Sequence, residues 1–309
     1  MSGASATPTL IAPSSLEAAL QLMAVEPGQW RPFAGGTDLM VAMNAPCGAT
    51  RGILSPLPLG RGLGEGEGTR GFINLLRYPE LHGITVADDT IELGACTTYT
   101  QIRGHALLQR EFAMLCAAAS LTGGVAIQNR GTLGGNIANA SPAADSLPVL
   151  LAYDAAIALQ SMRGIRWVPY DTVHTGYKQT ILAPDELITR IRLPRPRAPR
   201  VEFFRKVGTR EAQSITKVSL AACATRHAQH LTDVRLGMGS VGPMPLRCRR
   251  TEAVLQSEIV TATTIAAAQR ALLEDIAPID DLRSTAAYRR RVAQNLLAEF
   301  LQQAMTPRG

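Results

Sequence analysis

The sequence predicts an α+β protein built from two domains. Its 309 residues are more than one hydrophobic core usually spans, so two domains, or one domain with a satellite, are expected. Three prolines at positions 194–199 mark the best linker, because proline donates no backbone hydrogen bond to a sheet. Beyond this linker, strand-like runs precede helical runs, as in a small α+β domain. We therefore place the two domains at residues 1–195 and 200–305.

The composition is typical of a soluble globular protein. Hydrophobic residues make up 46% and charged residues 18% of the chain, and the mean hydropathy is +0.05. No apolar run reaches the roughly 18 residues that a membrane-spanning helix needs. The first residues, MSGASATPTLIAPSS, lack the basic and long apolar regions of a secretory signal. We expect a cytoplasmic protein that makes no use of the membrane.

Cysteine usage argues against a metal centre on this chain. None of the cysteines forms a C-x-x-C pair, which removes the usual sequence basis for an iron–sulfur or zinc site. The five cysteines are Cys47, Cys96, Cys116, Cys223 and Cys248. Isolated histidines are more often packed or surface residues than ligands. We expect buried or surface thiols in a reducing compartment.

The basic charge balance does not indicate nucleic-acid binding. The formal net charge is +6, but the arginines are spread along the chain rather than gathered in one block. Aromatic residues, on which bases stack, are only 5% of the chain. Anionic small molecules or an acidic partner subunit explain the charge equally well.

The first part of the chain predicts a strand, a glycine-rich loop and a helix. Ser14 and Glu17 have the spacing of a capping box, so a helix is expected over residues 14–25. A strand at 30–34 runs into Ala34-Gly35-Gly36-Thr37-Asp38, and an apolar-periodic stretch begins at Leu39. Residues 45–70 are dominated by glycine and proline and predict a flexible surface insertion.

Further elements follow in order. A strand is expected at 72–75, and a hairpin turning at Asp88-Asp89 joins strands at 83–87 and 90–94. A helical stretch of small residues ends at Ser120, and residues 123–145 form a second segment rich in Gly, Asn and Ser. The later strands are predicted at 155–160, 187–193, 201–207, 217–225 and 234–238, and the later helices at 259–273 and 285–301.

Two glycine-rich segments in one domain suit a ligand with two phosphates. Only glycine lets backbone N–H groups approach an oxyanion this closely. Thr37 adds a hydroxyl donor to the first segment, and Thr132 and Asn136 add donors to the second. Neither segment has the G-x-G-x-x-G or the P-loop pattern, so each one taken alone is also compatible with an ordinary turn.

The combination of motifs resembles a known family. The stretches that carry the resemblance are Phe33 to Leu39, Thr132 to Asp145, Lys206 to Arg210, and Ile215 with Lys217-Val218. They look like the signature stretches of the FAD-binding subunit of bacterial xanthine dehydrogenases, in the right order over nearly the whole chain. His174-Thr175-Gly176 is similar to a segment typical of the purine-oxidising branch.

The resemblance implies a fold and a set of FAD-binding residues. The expected fold is a two-subdomain FAD-binding domain of the vanillyl-alcohol-oxidase (PCMH) type, with subdomains at about 1–77 and 78–195, followed by a small α+β domain like that of carbon monoxide dehydrogenase flavoproteins. The implied cofactor-binding residues of the two glycine-rich segments are Phe33, Ala34, Gly35, Gly36, Thr37, Asp38, Leu39, Thr132, Gly134, Gly135, Asn136 and Asn139. Asp145 falls near the ribose or adenine end, while Ile188 and Lys206 match an apolar contact and a lysine at the flavin.

The resemblance also implies a division of labour among subunits. A large subunit with a molybdenum cofactor oxidises the substrate, a small subunit with 2Fe–2S clusters passes the electrons on, and the FAD of this chain reduces NAD or another acceptor. The expected assembly is a heterotrimer that dimerises. No residue of this chain is assigned as catalytic. The alternatives are a stand-alone FAD-dependent oxidoreductase of the same fold and a basic nucleic-acid-binding module.

Two features depart from the family pattern. The family commonly has Gln-Ile-Arg-Asn before the second segment, whereas this chain has Ala126-Ile127-Gln128-Asn129. The insertion at 45–70 falls where relatives are shorter.

Overall fold

The structure is a computed structural model that describes residues 9–43, 70–210 and 213–306. The predicted insertion, apart from Arg70, and Cys47 lie outside the described residues. The described helices are α1 Leu16–Val25, α2 Leu39–Met43, α3 Tyr99–Gly104, α4 Ala106–Glu111, α5 Ala113–Leu121, α6 Val125–Arg130, α7 Leu133–Asn139, α8 Leu147–Ala152, α9 Arg249–Leu255, α10 Ala262–Asp275 and α11 Ala286–Met305. The described strands are β1 Thr9–Ile11, β2 Trp30–Phe33, β3 Gly71–Asn74, β4 Ile84–Val86, β5 Thr90–Gly94, β6 Ala156–Ser161, β7 Gly164–Pro169, β8 His174–Gly176, β9 Gln179–Thr180, β10 Leu187–Pro194, β11 Val201–Val207, β12 Val218–His227, β13 His230–Gly239 and β14 Leu246–Arg247.

The N-terminal unit is a small parallel sheet covered by α1. Its strands lie in the order β1-β3-β2, and both outer strands pair parallel to β3. The apolar face of α1, with Leu16, Leu20 and Met23, packs with Ile73 of β3 in one hydrophobic cluster. The predicted cap at Ser14 is wrong by one residue. Ser15 is the N-cap, and its side chain accepts a hydrogen bond from the backbone N–H of Ala18.

The second unit places helices on one face of a five-stranded sheet. The strand order is β4-β5-β10-β6-β7, and every neighbouring pair is antiparallel. The predicted hairpin is confirmed as β4 and β5, whose register pairs Val86 with Ile91. Alternate residues of β10, such as Ile191 and Leu193, join the largest hydrophobic cluster together with residues of α3, α4, α5, α7 and α8.

Residues 123–145 are more helical than their composition suggests. We expected a loop rich in Gly, Asn and Ser, but the chain forms α6 and α7 there. The reason is packing. The backbone N–H of Gly134 donates to the carbonyl of Ala95 at 2.9 Å, and a Cβ at Gly134 would lie 2.6 Å from the Cβ of Ala95. A small residue is required for this close approach, and helix propensity is overridden by tertiary contact.

The predicted linker is held against the second unit. Pro194 still pairs with Thr90 at the end of β10. Arg195 makes two hydrogen bonds to the carboxylate of Glu111, at 2.8 and 2.9 Å, and these bonds lower the pKa of Glu111 to about 2. Arg200 donates to the backbone carbonyl of the same glutamate. Extended proline-rich backbone therefore connects the domains along a defined path.

The C-terminal unit is an antiparallel sheet of order β11-β12-β13-β14 with α9, α10 and α11. One sheet face packs with α10 and α11 in a third hydrophobic cluster, and the other contacts α8. A Cβ at Gly237 would lie 2.1 Å from the carbonyl oxygen of Pro148. The predicted α+β class, an FAD-type domain followed by a small α+β domain, is confirmed, while the exact domain boundaries stay a prediction. Within the described residues, no helix has the length and apolar character to cross a membrane.

Candidate functional site

The first predicted loop lies against the backbone just before α7. A Cβ atom at Gly35 would lie 1.9 Å from the carbonyl oxygen of Arg130, so the contact between the two segments requires glycine. Gly36 has a φ of +74°, a left-handed conformation that glycine adopts without strain. The two glycine-rich segments, separated by about a hundred residues of sequence, therefore meet.

This loop leaves backbone donors open. Within residues 9–43, 70–210 and 213–306, no backbone N–H from Gly35 to Asp38 donates a hydrogen bond to the protein. Ala34 packs on the cluster of the N-terminal unit, Thr37 is half-buried, and Leu39 begins α2. Successive unpaired N–H groups beside glycine form a cradle for an anion.

Phe33 packs against the first loop. Its ring lies 6.1 Å from that of Phe72, edge to face, and a Cβ at Gly36 would lie 2.7 Å from its Cζ atom. Phe33 therefore contacts the loop, and its contact with the cofactor stays a prediction.

The second predicted segment is the N-terminal turn of α7. Thr132 is its N-cap, and its hydroxyl accepts from the backbone N–H of Gly135 at 3.2 Å. Gly135 is exposed, and a Cβ there would meet only the hydroxyl of Thr132, at 2.8 Å. The side chain of Asn136 accepts a hydrogen bond from Ser146 at 2.7 Å, which fixes its amide orientation. Asn139 ends the helix and is half-buried.

Asp145 and Lys206 form a buried ion pair between the second unit and the C-terminal unit. The Nζ of Lys206 lies 2.7 Å from Oδ2 of Asp145 and donates to the carbonyl of Leu121 at 3.1 Å. The hydroxyl of Thr216 donates to Oδ1 of Asp145 at 2.5 Å. The side chains of Lys206 and Asp145 are 3% and 8% exposed. Burial raises the pKa of Asp145, and the ammonium of Lys206 opposes this shift.

The ion pair bears on the roles expected for these two residues. Asp145 was assigned to the ribose or adenine end of FAD and Lys206 to the flavin end. The 2.7 Å contact places the two side chains at one point of the structure, whereas the roles expected for them lie at opposite ends of an extended cofactor, and both roles stay predictions. We treat Asp145, Lys206 and Thr216 as one group, and Thr216 is a member that the sequence did not indicate.

Tyr99 is a second residue that sequence reasoning missed. It is 2% exposed, and its hydroxyl is buried without a hydrogen-bond partner in the described part of the chain. Its ring lies against Gly131. Burial raises the pKa of Tyr99, the neighbouring side chain of Ser146 opposes this shift, and the charges of Asp145 and Asp38 add to it. An unsatisfied buried hydroxyl costs free energy unless a ligand pairs with it. Tyr99 lies where the glycine segments and Asp145 meet.

Two other predicted features lie in packed positions. Ile188 is 6% exposed in the largest cluster, at the point where the register between β10 and β6 shifts. His174 lies on β8, and its Nε2 is 3.1 Å from the hydroxyl of Tyr170. Burial lowers the pKa of His174 to about 4, so its imidazole is neutral near pH 7.

The residues fit a dinucleotide cofactor with a pyrophosphate. The open N–H groups from Gly35 to Asp38, the capped end of α7 and the unpaired hydroxyl of Tyr99 provide donors at one junction. Among the described residues, no group of three or more His, Cys, Asp or Glu could hold a metal ion.

Comparisons with known proteins identify the family. Residues 65–196 match the family described as "FAD binding domain in molybdopterin dehydrogenase", and residues 203–304 match "CO dehydrogenase flavoprotein C-terminal domain". The "xanthine dehydrogenase FAD-binding subunit" of Escherichia coli O157:H7 is 30% identical over 298 residues, which cover 96% of this chain and 95% of that protein. The "nicotinate dehydrogenase FAD-subunit" of Eubacterium barkeri is 27% identical and covers 87% of this chain and 86% of its own.

Chains of solved structures share this fold. A chain of carbon monoxide dehydrogenase from Hydrogenophaga pseudoflava superposes with a TM-score of 0.84 at 26% identity and covers 96% of both chains. A chain of reconstituted CO dehydrogenase from Oligotropha carboxidovorans has a TM-score of 0.86 at 23% identity, covers 97% of this chain and 98% of its own, and shows the shared fold. This chain belongs to the family of FAD-binding subunits of molybdenum hydroxylases, which confirms the resemblance of its motifs.

Proposed function

We propose that this chain is the FAD-carrying electron-transfer subunit of a molybdenum hydroxylase of the xanthine dehydrogenase type. The observation that supports it best is the meeting of Gly35 with Arg130. This contact gathers the open N–H groups of the first loop and the capped end of α7 into one anion-binding junction.

The chain's own residues would hold and orient FAD. The N–H groups from Gly35 to Asp38 and the first turn of α7 would bind the pyrophosphate, and Tyr99 would donate its free hydroxyl. Bound FAD supplies two-electron hydride transfer and one-electron steps. The Asp145–Lys206 group would fix one part of the cofactor and set the charge beside it.

Molybdenum and iron–sulfur chemistry would take place on partner subunits. The described cysteines lie apart, and three of them, Cys96, Cys223 and Cys248, are buried with pKa values raised by desolvation. Buried, protonated thiols are poor ligands. A heterotrimer with an iron–sulfur subunit and a molybdenum-cofactor subunit, dimerised in the cytoplasm, is the assembly that we propose.

The proposals that the substrate is a purine and that NAD is the acceptor come from the similarity to named relatives. The relative named as a xanthine dehydrogenase subunit is 30% identical, and the one named as a nicotinate dehydrogenase subunit is 27% identical. In the proposed assembly the hydroxylated substrate binds to the molybdenum subunit, so the residues of this chain do not select it.

Isolation of the native complex tests the proposal. We expect flavin absorption near one FAD per chain, with a molybdenum subunit and an iron–sulfur subunit in the same particle. Addition of xanthine should bleach the flavin, and NAD should restore its absorption.

The other outcomes have distinct meanings. A flavin-free chain would refute FAD binding. A flavin-loaded chain without partners that turns over its own substrate would favour the stand-alone oxidoreductase. Bleaching by nicotinate or carbon monoxide, but not by xanthine, would refute only the purine assignment.

A further inference from the structure

Arg289 is a buried cation in the C-terminal unit, far from the glycine segments in sequence. It lies on α11 and is 4% exposed. Its Nη2 contacts both carboxylate oxygens of Asp281 at 2.8 Å. Its Nη1 donates to the carbonyl of Ser240 at 2.6 Å and to that of Lys217 at 3.1 Å. A guanidinium can hold a carboxylate and two carbonyls at once because its donors form a rigid fork.

The two carbonyls belong to segments that hold Thr216. Lys217 follows Thr216 directly, and the hydroxyl of Ser240 donates to the carbonyl of Thr216 at 2.9 Å. Ser240 has a φ of 63°, and its backbone N–H donates to the carbonyl of Pro142 at 2.8 Å. Ser240 is thus held in a conformation that non-glycine residues adopt rarely, by contacts on both sides.

Thr216 in turn orients Asp145. Its side chain is buried, and its hydroxyl donates to Oδ1 of Asp145, while Lys206 contacts Oδ2. A carboxylate held at both oxygens has little freedom to rotate. An unbroken series of hydrogen bonds therefore runs from Asp281 and Arg289, through Ser240 and Thr216, to the Asp145–Lys206 pair.

We propose that Arg289 is a positioning residue for the Asp145–Lys206 pair, and that through it the C-terminal unit sets the affinity for FAD. The inference rests on the proposed function, in which this pair faces FAD. A purely structural role, in which Arg289 only secures α11, makes a different prediction: stability falls, but the affinity of the folded chain for FAD does not.

The test measures FAD binding to the purified full-length chain by flavin fluorescence and its stability by thermal unfolding. Thr216→Val removes the hydroxyl that holds Oδ1 of Asp145, so the carboxylate must be ordered when FAD binds, and the FAD dissociation constant should rise by about tenfold. Thr216→Ser keeps the hydroxyl and should bind like the wild type. Arg289→Lys cannot span its three partners and should weaken FAD binding in the same direction.

The combination of the two substitutions tests whether Arg289 acts on FAD binding through Thr216. In the Thr216→Val background, Arg289→Lys should weaken FAD binding little further, because the hydrogen bond that it positions is already absent. Leu297→Ala is the matched control. Leu297 is a buried core residue of the same helix, so the variant should melt at a lower temperature with an unchanged FAD dissociation constant.

The outcomes separate the two proposals. A wild-type chain that binds no FAD refutes the proposed function and this inference together. A wild-type chain that binds FAD, with Arg289→Lys behaving like Leu297→Ala or with effects that add to those of Thr216→Val, refutes the positioning role alone. Should Arg289→Lys not fold, Asp281→Asn, which removes one of the two carboxylate contacts that hold the Arg289 guanidinium, replaces it in the same cycle and is expected to be non-additive with Thr216→Val.

Discussion

Lys206→Met removes the cation of a buried ion pair while it keeps most of the length of the side chain. At the observed 2.7 Å and an effective dielectric constant of about 20, the attraction between Lys206 and Asp145 is about 6 kcal/mol before desolvation is counted. Both side chains are more than nine-tenths buried, so solvent screens them weakly. Removal of one partner of such a pair costs about 3–5 kcal/mol of unfolding free energy, and we expect that loss near pH 7.

The loss of unfolding free energy in Lys206→Met should depend on pH. Burial raises the pKa of Asp145 and Lys206 opposes the shift, so without Lys206 the folded-state pKa lies further above the unfolded value. The stability that comes from the protonated carboxyl is complete below the unfolded pKa and is lost as the pH rises through the folded pKa. The deficit of the variant relative to the wild type is therefore smallest at low pH. Denaturant unfolding of both proteins at several pH values between about 4 and 8 measures it.

The flavin potential gives a second readout if the pair faces the flavin. Reduction adds negative charge to the cofactor, so at a pH above the folded-state pKa of Asp145, where Lys206→Met leaves a charged carboxylate, this variant should lower the potential. Asp145→Asn, which leaves an ammonium, should raise it. A change of about 1 kcal/mol corresponds to about 20 mV for a two-electron couple. The double variant has neither charge and should lie close to the wild type.

Two results would refute this reasoning. A deficit in unfolding free energy that is the same at every pH would show that Asp145 does not take up a proton when Lys206 is removed. A potential that is unchanged while FAD stays bound, or that moves in the same direction in Lys206→Met and Asp145→Asn, would show that the pair does not act on the flavin through its charge.

Three further predictions concern other parts of the chain. Gly135→Val should abolish FAD retention in a folded chain, whereas Gly35→Val should also lower the melting temperature because its side chain meets a backbone carbonyl; flavin content and melting curves distinguish the two. Tyr99→Phe should weaken FAD binding by about tenfold without destabilising the FAD-free chain, because it removes a buried hydroxyl that has no partner within the described residues. Deletion of residues 48–68, whose sequence has no periodic apolar face, should leave flavin content and melting temperature nearly unchanged, and a large fall in either would contradict that expectation.

Local patterns predicted those elements that local forces determine. The hairpin at β4 and β5 and the strand β10 follow from alternating apolar residues, and α10 and α11 follow from helical periodicity. The helix α9 was missed because its sequence, RRTEAVL, is short and polar. It depends on tertiary contacts, such as that of Thr251 with Asp275. The helix α7 was missed because its glycines look like a loop until Ala95 is placed beside Gly134.

The residues of the candidate site also divide into those that local sequence patterns predicted and those that they did not. Composition and spacing pointed to the glycine segments, because a glycine pair followed by an apolar-periodic stretch has a local meaning. Asp145 and Lys206 lie 61 positions apart, and no periodicity relates them, so only the family resemblance named them. Tyr99 was missed because an aromatic residue in a helix is normally a core residue, and the free hydroxyl that distinguishes it exists only in the folded chain.

The three structural units meet at the residues proposed to hold FAD. Gly35 comes from the N-terminal unit, Arg130 and Asp145 from the second, and Lys206 from the C-terminal unit. A ligand that binds only this assembled arrangement stabilises all the contacts that create it, in proportion to its concentration over its dissociation constant. The same linkage acts in reverse, because any change that loosens the contact of β11 with the second unit separates Lys206 from Asp145. The C-terminal domain thus contributes Lys206 to the group that we propose holds the cofactor, although the glycine motifs that first indicate such a site lie wholly outside it.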